Sequence, residues 1–288
     1  MRSFVSNIST YSKIYNPNFI IIPQNGQDLA ILSDSNIAID YISKIDAQAR
    51  EDMYYDYNKD DETTPTDISN EWEKQLDIIK SYNKTILTID YCSSSIKMDD
   101  AYSKNNTKGY NSFSADQRNL NNIPTHTINN ENSLDILSIK DAKNFLYLIN
   151  GENFTTKRAL IDAIKNTNYD AIVMDLNQNE EIFSASEINE LKVKKNGASR
   201  LVICYMSIGE AEDYRYYWQN KWKINKPEWL GKSNPDWKGN YKVCYWNNDW
   251  QNIIYGNDNS YLKKIIDANF DGVYLDIIDA FEYYEENN

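Results

Sequence analysis

At 288 residues the chain suits a single α/β barrel and is long enough to bury a large core. Thirty basic residues against 43 acidic ones give a net charge of −13. That balance argues against nucleic acid as a partner, since such binding relies on Lys and Arg neutralising phosphates; it suits a cationic ligand, or simply solubility. The three cysteines are far apart with no metal-ligand spacing, and the one histidine, His126, lies in a polar Asn-rich stretch, so a His-dependent triad or a His-rich zinc site is not expected.

The elements follow in chain order. Residues 1–18 lack the apolar core of a signal peptide and include a helix, Arg2–Tyr15. Phe19–Gly26 reads as a buried strand ending in the amides Gln24 and Asn25. Glu51–Tyr55 is a weaker strand, followed by a polar loop at Asn58–Thr66 and a helix at Glu71–Tyr82. Lys84–Cys92 is a strong strand carrying Asp90 near its end, and Gly109–Ala115 is a spare ninth strand outside the barrel. Residues 121–137 lack periodicity and read as a linker. Asn144–Asn150 and Tyr169–Leu176 are strands around a helix at Thr155–Asn166, and Asp175 closes the second of them. A helix over Ser184–Lys195, capped by Ser186, leads into the strand Leu201–Gly209. Tyr241–Trp246 and Gly272–Ile278 complete eight strands, with a helix at Tyr261–Ala268 before the last. Strands alternating with helices make parallel βα units, and eight of them predict one (β/α)₈ barrel. No internal repeat and no membrane span is expected.

One design recurs at the strand ends. The apolar run Leu201–Ile208 breaks at Gly209 into Glu210, Glu212, Asp213 and Arg215, and Asp271–Ala280 starts apolar and then delivers Asp276 and Asp279. Together with Asp90 and Asp175 this places carboxylates at the C-terminal ends of several strands, the rim where α/β proteins carry out chemistry. The 23 tyrosines and 7 tryptophans cluster in part near this rim, where flat rings with polar handles suit sugar faces as well as cores.

The stretches Ile21–Gly26, Tyr205–Trp218, Pro227–Leu230, Asn234–Trp246 and Phe270–Tyr283 resemble the endo-α-1,4-polygalactosaminidase family, glycoside hydrolase family 114, especially its bacterial and archaeal secreted-type branch. The resemblance implies a TIM-type barrel, hydrolysis of a galactosamine-rich exopolysaccharide, and an extracellular or periplasmic location; no spacing in the sequence demands a metal, and a monomer without cofactor is expected. It also implies a circular permutation within a single domain spanning 1–288. Residues 138–288 match the family's N-terminal part, 1–120 match its C-terminal part, and 121–137 join the old termini. Relatives carry a Glu in a Trp-x-Gly-Glu-x-Trp-like motif where this chain has Trp237-Lys-Gly-Asn240-Tyr241.

Glycoside hydrolysis needs two carboxylates, one protonated and one ionised. Asp175 matches the family's strand-end Asp and is expected to be one of them. Glu210 and Glu212 compete for the other role. Glu210 is favoured because it directly follows the Gly209 break, while Glu212 could instead pair with Arg215 three residues on. Asp276 and Asp279 would orient substrate or raise a partner's pKa, though Asp279 could simply cap a helix. Tyr205, Trp246, Gln24, Asn25 and Asp90 are the expected binding residues at the mouth. The rival reading is a carbohydrate-binding barrel without catalysis. A Mg- or Ca-dependent enzyme is a third and weaker alternative.

Overall fold

The computed structural model describes residues 1–59, 61–179 and 181–287. Its framework is eight parallel strands: β1 (Ile20–Pro23), β2 (Ala47–Glu51), β3 (Thr85–Tyr91), β4 (Asn111–Ala115), β5 (Phe145–Leu148), β6 (Ala171–Met174), β7 (Leu201–Ser207) and β8 (Gly272–Asp276). Five of them form one sheet in the order β1-β8-β7-β6-β5, and β2-β3-β4 form another. The fold is therefore mixed α/β around a parallel sheet. The two sheets meet at a parallel bridge between Gln24 and Ala49. On the other side Phe113 of β4 packs on Phe145 of β5, with ring centroids 5.8 Å apart. The first and last strands are partners, with Ile20 opposite Gly272 and Pro23 opposite Leu275.

Three strand expectations need correction. The segment Gly109–Ala115 is not a spare: its residues 111–115 are β4, in register with β3 from Leu87 opposite Asn111 to Tyr91 opposite Ala115. Ser112 and Ser114 are buried, and the backbone N–H of Ser114 bonds the Tyr102 hydroxyl, so small polar side chains line a buried strand. Residues 241–246 are not a framework strand. Asn240–Val243 lies between Glu210–Glu212 and Leu230–Ser233 in an antiparallel three-stranded sheet after β7. Its residues 240–242 are only half-buried, as suits an excursion, whereas a parallel strand is covered on both faces. The second strand also sits earlier than expected, at 47–51. Its buried Gln48 hides it from an apolar pattern, and the Gln48 amide donates to Pro23 O (3.1 Å) and Asn25 O (2.9 Å).

The helices are α1 (Arg2–Tyr15), α2 (Ile39–Lys44), α3 (Thr66–Ser81), α4 (Ser95–Lys108), α5 (Lys157–Lys165), α6 (Ala185–Leu191), α7 (Asn248–Ile254), α8 (Tyr261–Asp267) and α9 (Ala280–Glu286). Ser184, not Ser186, caps α6, through a capping box with Glu187. Helices separate most consecutive strands, but the 29 residues between β4 and β5 hold neither helix nor strand. That segment runs past the N-terminal ends of the strands. Asn132 bonds Asp170 just before β6, and the N–H of Ile136 donates to Ser199 O just before β7. No helix among the described residues is long and apolar enough to cross a membrane.

Candidate active site

The strand C-terminal ends surround a cavity of about 310 Å³. Its placement starts from a glycine. After β7, the N–H of Ile208 bonds Asp276 O, drawing the chain against the end of β8. A Cβ at Gly209 would lie 2.1 Å from Ile277 O, so only glycine permits this approach. The chain then turns into Glu210–Glu212, whose register sets Glu212 opposite Asn240. Ile277 has φ +56°, a left-handed conformation rare for a β-branched residue, and it lines the cavity.

Two groups of carboxylates face this space. In the first, Arg215 holds Asp175 and Glu212 together. Its Nη1 lies 2.7 Å from Asp175 Oδ1 and its Nε 2.6 Å from Glu212 Oε2. The Tyr214 hydroxyl adds a bond to Glu212 Oε1 at 2.7 Å. Burial works against the guanidinium charge, but Asp175 and Glu212 outweigh it and hold Arg215 firmly protonated. In the second group, Asp276 accepts from the Tyr205 hydroxyl (2.6 Å) and from the N–H of Ile277 (2.8 Å). Glu51, at the end of β2, accepts from the Tyr91 hydroxyl at 2.6 Å, and Asp279 completes the wall. Burial, followed by the charge of Glu51, pushes Asp276 up to about 8, against the pull of its two donors. Burial raises Asp279 as well, with Arg50 opposing. Asn25, Arg118, Asn150, Trp237 and Lys238 form much of the remaining rim.

Asp175, Glu212, Asp276, Asp279, Tyr205 and Asn25 thus line one cavity, and Glu212 pairs with Arg215. Asp279 sits at the start of α9 without making a side-chain capping bond. Glu210, favoured over Glu212 from the sequence, does not line the cavity. It is buried under the amides of Asn234 (2.9 Å) and Asn240 (3.3 Å). Asp90 does not reach the cavity either. It accepts the N–H groups of Tyr54 (2.6 Å) and Tyr55 (3.0 Å) and the Asn105 amide of α4 (3.1 Å). Neighbouring strand residues point to opposite faces, so Tyr91 faces the cavity and Asp90 faces the helix layer. Gln24 is buried with the Tyr147 hydroxyl, and Trp246 packs edge-on against Tyr284 away from the lining. The sequence reading missed Glu51 and Tyr91, although Glu51 carries the same signal, a carboxylate at a strand end. Among the described residues no group of three or more His, Cys, Asp or Glu is arranged to hold a metal ion.

Residues 138–288 match the model of glycoside-hydrolase family GH114. The chain belongs to this family. The matched region contains both Asp175 and Asp276, while Glu51 lies outside it. An uncharacterized protein of Methanocaldococcus jannaschii is 42% identical over 160 residues, 52% of this chain and 44% of that protein. Uncharacterized proteins of Thermotoga maritima (40% over 123 residues) and Deinococcus radiodurans (43% over 94 residues) cover 43% and 33% of the chain, and 36% and 29% of their own lengths. The chain therefore spans less than half the length of these curated relatives. GH114 is a family of glycoside hydrolases.

Proposed function

We propose that the protein is a glycoside hydrolase acting on a galactosamine-containing exopolysaccharide, like an endo-α-1,4-polygalactosaminidase, and that the carboxylate cavity is its site. The observation that carries this reading is the convergence of Asp175, Glu212, Asp276 and Glu51 on one space at the strand ends of a GH114 member. Asp175, held by Arg215, serves as the second carboxylate and either attacks the anomeric carbon or activates water for that attack. Glu212 shares that clamp and fixes its geometry. Trp237, half-exposed at the mouth, offers a ring face to a sugar. Where deacetylated the polymer is cationic, which suits an acidic cavity on a chain of net charge −13.

The framework in this reading is a closed (β/α)₈ barrel with circularly permuted strand order. The β1–β8 pairing, the Gln24–Ala49 bridge and the Phe113–Phe145 contact support closure. The family match over 138–288, and the lack of a helix between β4 and β5, support a junction within 121–137.

Incubation with partially deacetylated polygalactosamine tests the function, read as reducing ends released and, separately, as polymer bound. Release with binding supports the enzyme. The presence of Asn240 on the lining, where an amide cannot donate a dissociable proton, favours the rival binding-only barrel as the second reading. Binding without release would establish that rival.

A further inference from the structure

We propose that Asp276 delivers the proton to the glycosidic oxygen and that Glu51 is the positioning residue that keeps this proton on Asp276. The inference rests on the glycosidase reading and assigns the acid within it.

The two groups of carboxylates in the cavity differ in their partners. Asp175 and Glu212 are both bonded to a buried guanidinium. Among the described residues no Lys or Arg pairs with Glu51 or Asp276; their partners are phenols, Tyr91 and Tyr205, at 2.6 Å each. A carboxylate clamped by Arg favours its charged form. A buried carboxylate beside a second one favours its proton. Titratable groups act on Asp276 from several strands, Tyr274 of β8 itself among them. Glu51 faces it from β2, Tyr205 from β7 and Tyr147 from β5, with Asp279 just beyond β8 and Arg50 acting on Asp279. Of these, Tyr205 and the Ile277 N–H stabilise the ionised form, while burial, Glu51 and Asp279 oppose it, and the balance lies at about 8. Asp276 is thus neutral where Asp175 is paired, which is the division of labour that hydrolysis of a glycoside requires.

In the step itself, the Asp276 proton passes to the oxygen of the scissile bond. The bond from that oxygen to the anomeric carbon breaks, and its electron pair stays on the oxygen. Water then supplies hydroxide to the anomeric carbon: in attack on an ester to Asp175 its remaining proton goes to Asp276, and in direct attack it goes to Asp175, from which exchange with solvent returns a proton to Asp276. One water is consumed and both carboxyl groups are restored.

Two readouts test this. The first needs no turnover: isotope-edited carboxyl NMR of the parent, with the Asp276 signal assigned by its loss in Asp276→Asn. The expected result is a protonated Asp276 at neutral pH, with titration moving to lower pH in Glu51→Gln. An Asp276 fully ionised at neutral pH overturns the proposal whatever the activity. The second compares the polymer with an aryl glycoside whose dinitrophenol leaves without protonation. Asp276→Asn should lose on the order of 10²–10⁴-fold in kcat/KM on the polymer and no more than about tenfold on the aryl glycoside. Equal loss on both substrates, in a variant whose thermal unfolding shows it folded, overturns the donor role and leaves the glycosidase reading intact. Glu51→Gln should move the basic limb of the pH–rate profile to lower pH, with Glu51→Asp restoring it; an unmoved limb overturns the positioning role. A parent that cleaves neither substrate overturns the glycosidase reading and the donor role with it, even if Asp276 titrates as expected.

Discussion

Asp276 carries a cost that can be measured without any substrate. An Asp in an unfolded chain titrates near about 3.9, and here the folded group is held at about 8. The folded state therefore binds the proton more tightly. Its contribution to stability is complete below the unfolded value and is lost as pH rises through the folded one. Asp276→Asn should accordingly raise the melting temperature relative to the parent at pH above about 8 and lose that advantage near pH 4. Parallel curves of melting temperature against pH would show that Asp276 is not held neutral. Asp90 gives the opposite expectation. It accepts two buried backbone N–H groups, so Asp90→Ala should cost on the order of 2–5 kcal/mol in denaturant unfolding while the folded fraction keeps its turnover. The contrast also marks how much of the site was legible. A strand-end carboxylate is visible in the sequence, and Asp175, Glu212 and Asp276, read that way, line the cavity, while the favoured Glu210 does not. Which face it points to depends on the exact end of the strand, and one residue separates Asp90, turned to the helices, from Tyr91, turned to the cavity.

Among the elements, apolar runs located β1, β3, β5, β6, β7 and β8, because those strands are covered on both faces. Two strands escaped or were misplaced for a common reason. Gln48 in β2 and Ser112 and Ser114 in β4 are buried polar residues, so burial there leaves no apolar trace. Missing the true end of β2 also hid Glu51. The aromatic-rich 241–246 run imitated a framework strand while belonging to the excursion that carries Glu210 and Glu212. That excursion depends on Gly209. Gly209→Ala would drive a methyl into Ile277 O and push apart the ends of β7 and β8. A destabilisation of about 1–3 kcal/mol is expected from such overpacking. Because Asp276 and Glu212 sit on the two displaced ends, kcat/KM should fall while most of the protein remains folded. A denaturant midpoint and activity both equal to the parent's would contradict this account of the turn.

At the scale of the whole molecule, neighbouring strands within each parallel sheet follow one another in the chain, except that the last strand pairs with the first. The sequence made this order readable because helices and strands alternate along most of its length. It could not reveal the path of residues 116–144, which form no regular element and are held by side-chain and backbone bonds to the loops before β6 and β7. Carboxylates from strands distant in sequence meet at one end of this framework: Glu51 from β2, Asp175 after β6 and Asp276 from β8. Hydrolysis of a glycan at this meeting place is tested most directly by the release of reducing ends from partially deacetylated polygalactosamine by the parent and by Asp175→Asn, each with its binding of the polymer measured alongside. Release by the parent is expected, with near-complete loss in Asp175→Asn and binding retained. Binding by both proteins with no release by either, or equal release by both, would contradict it.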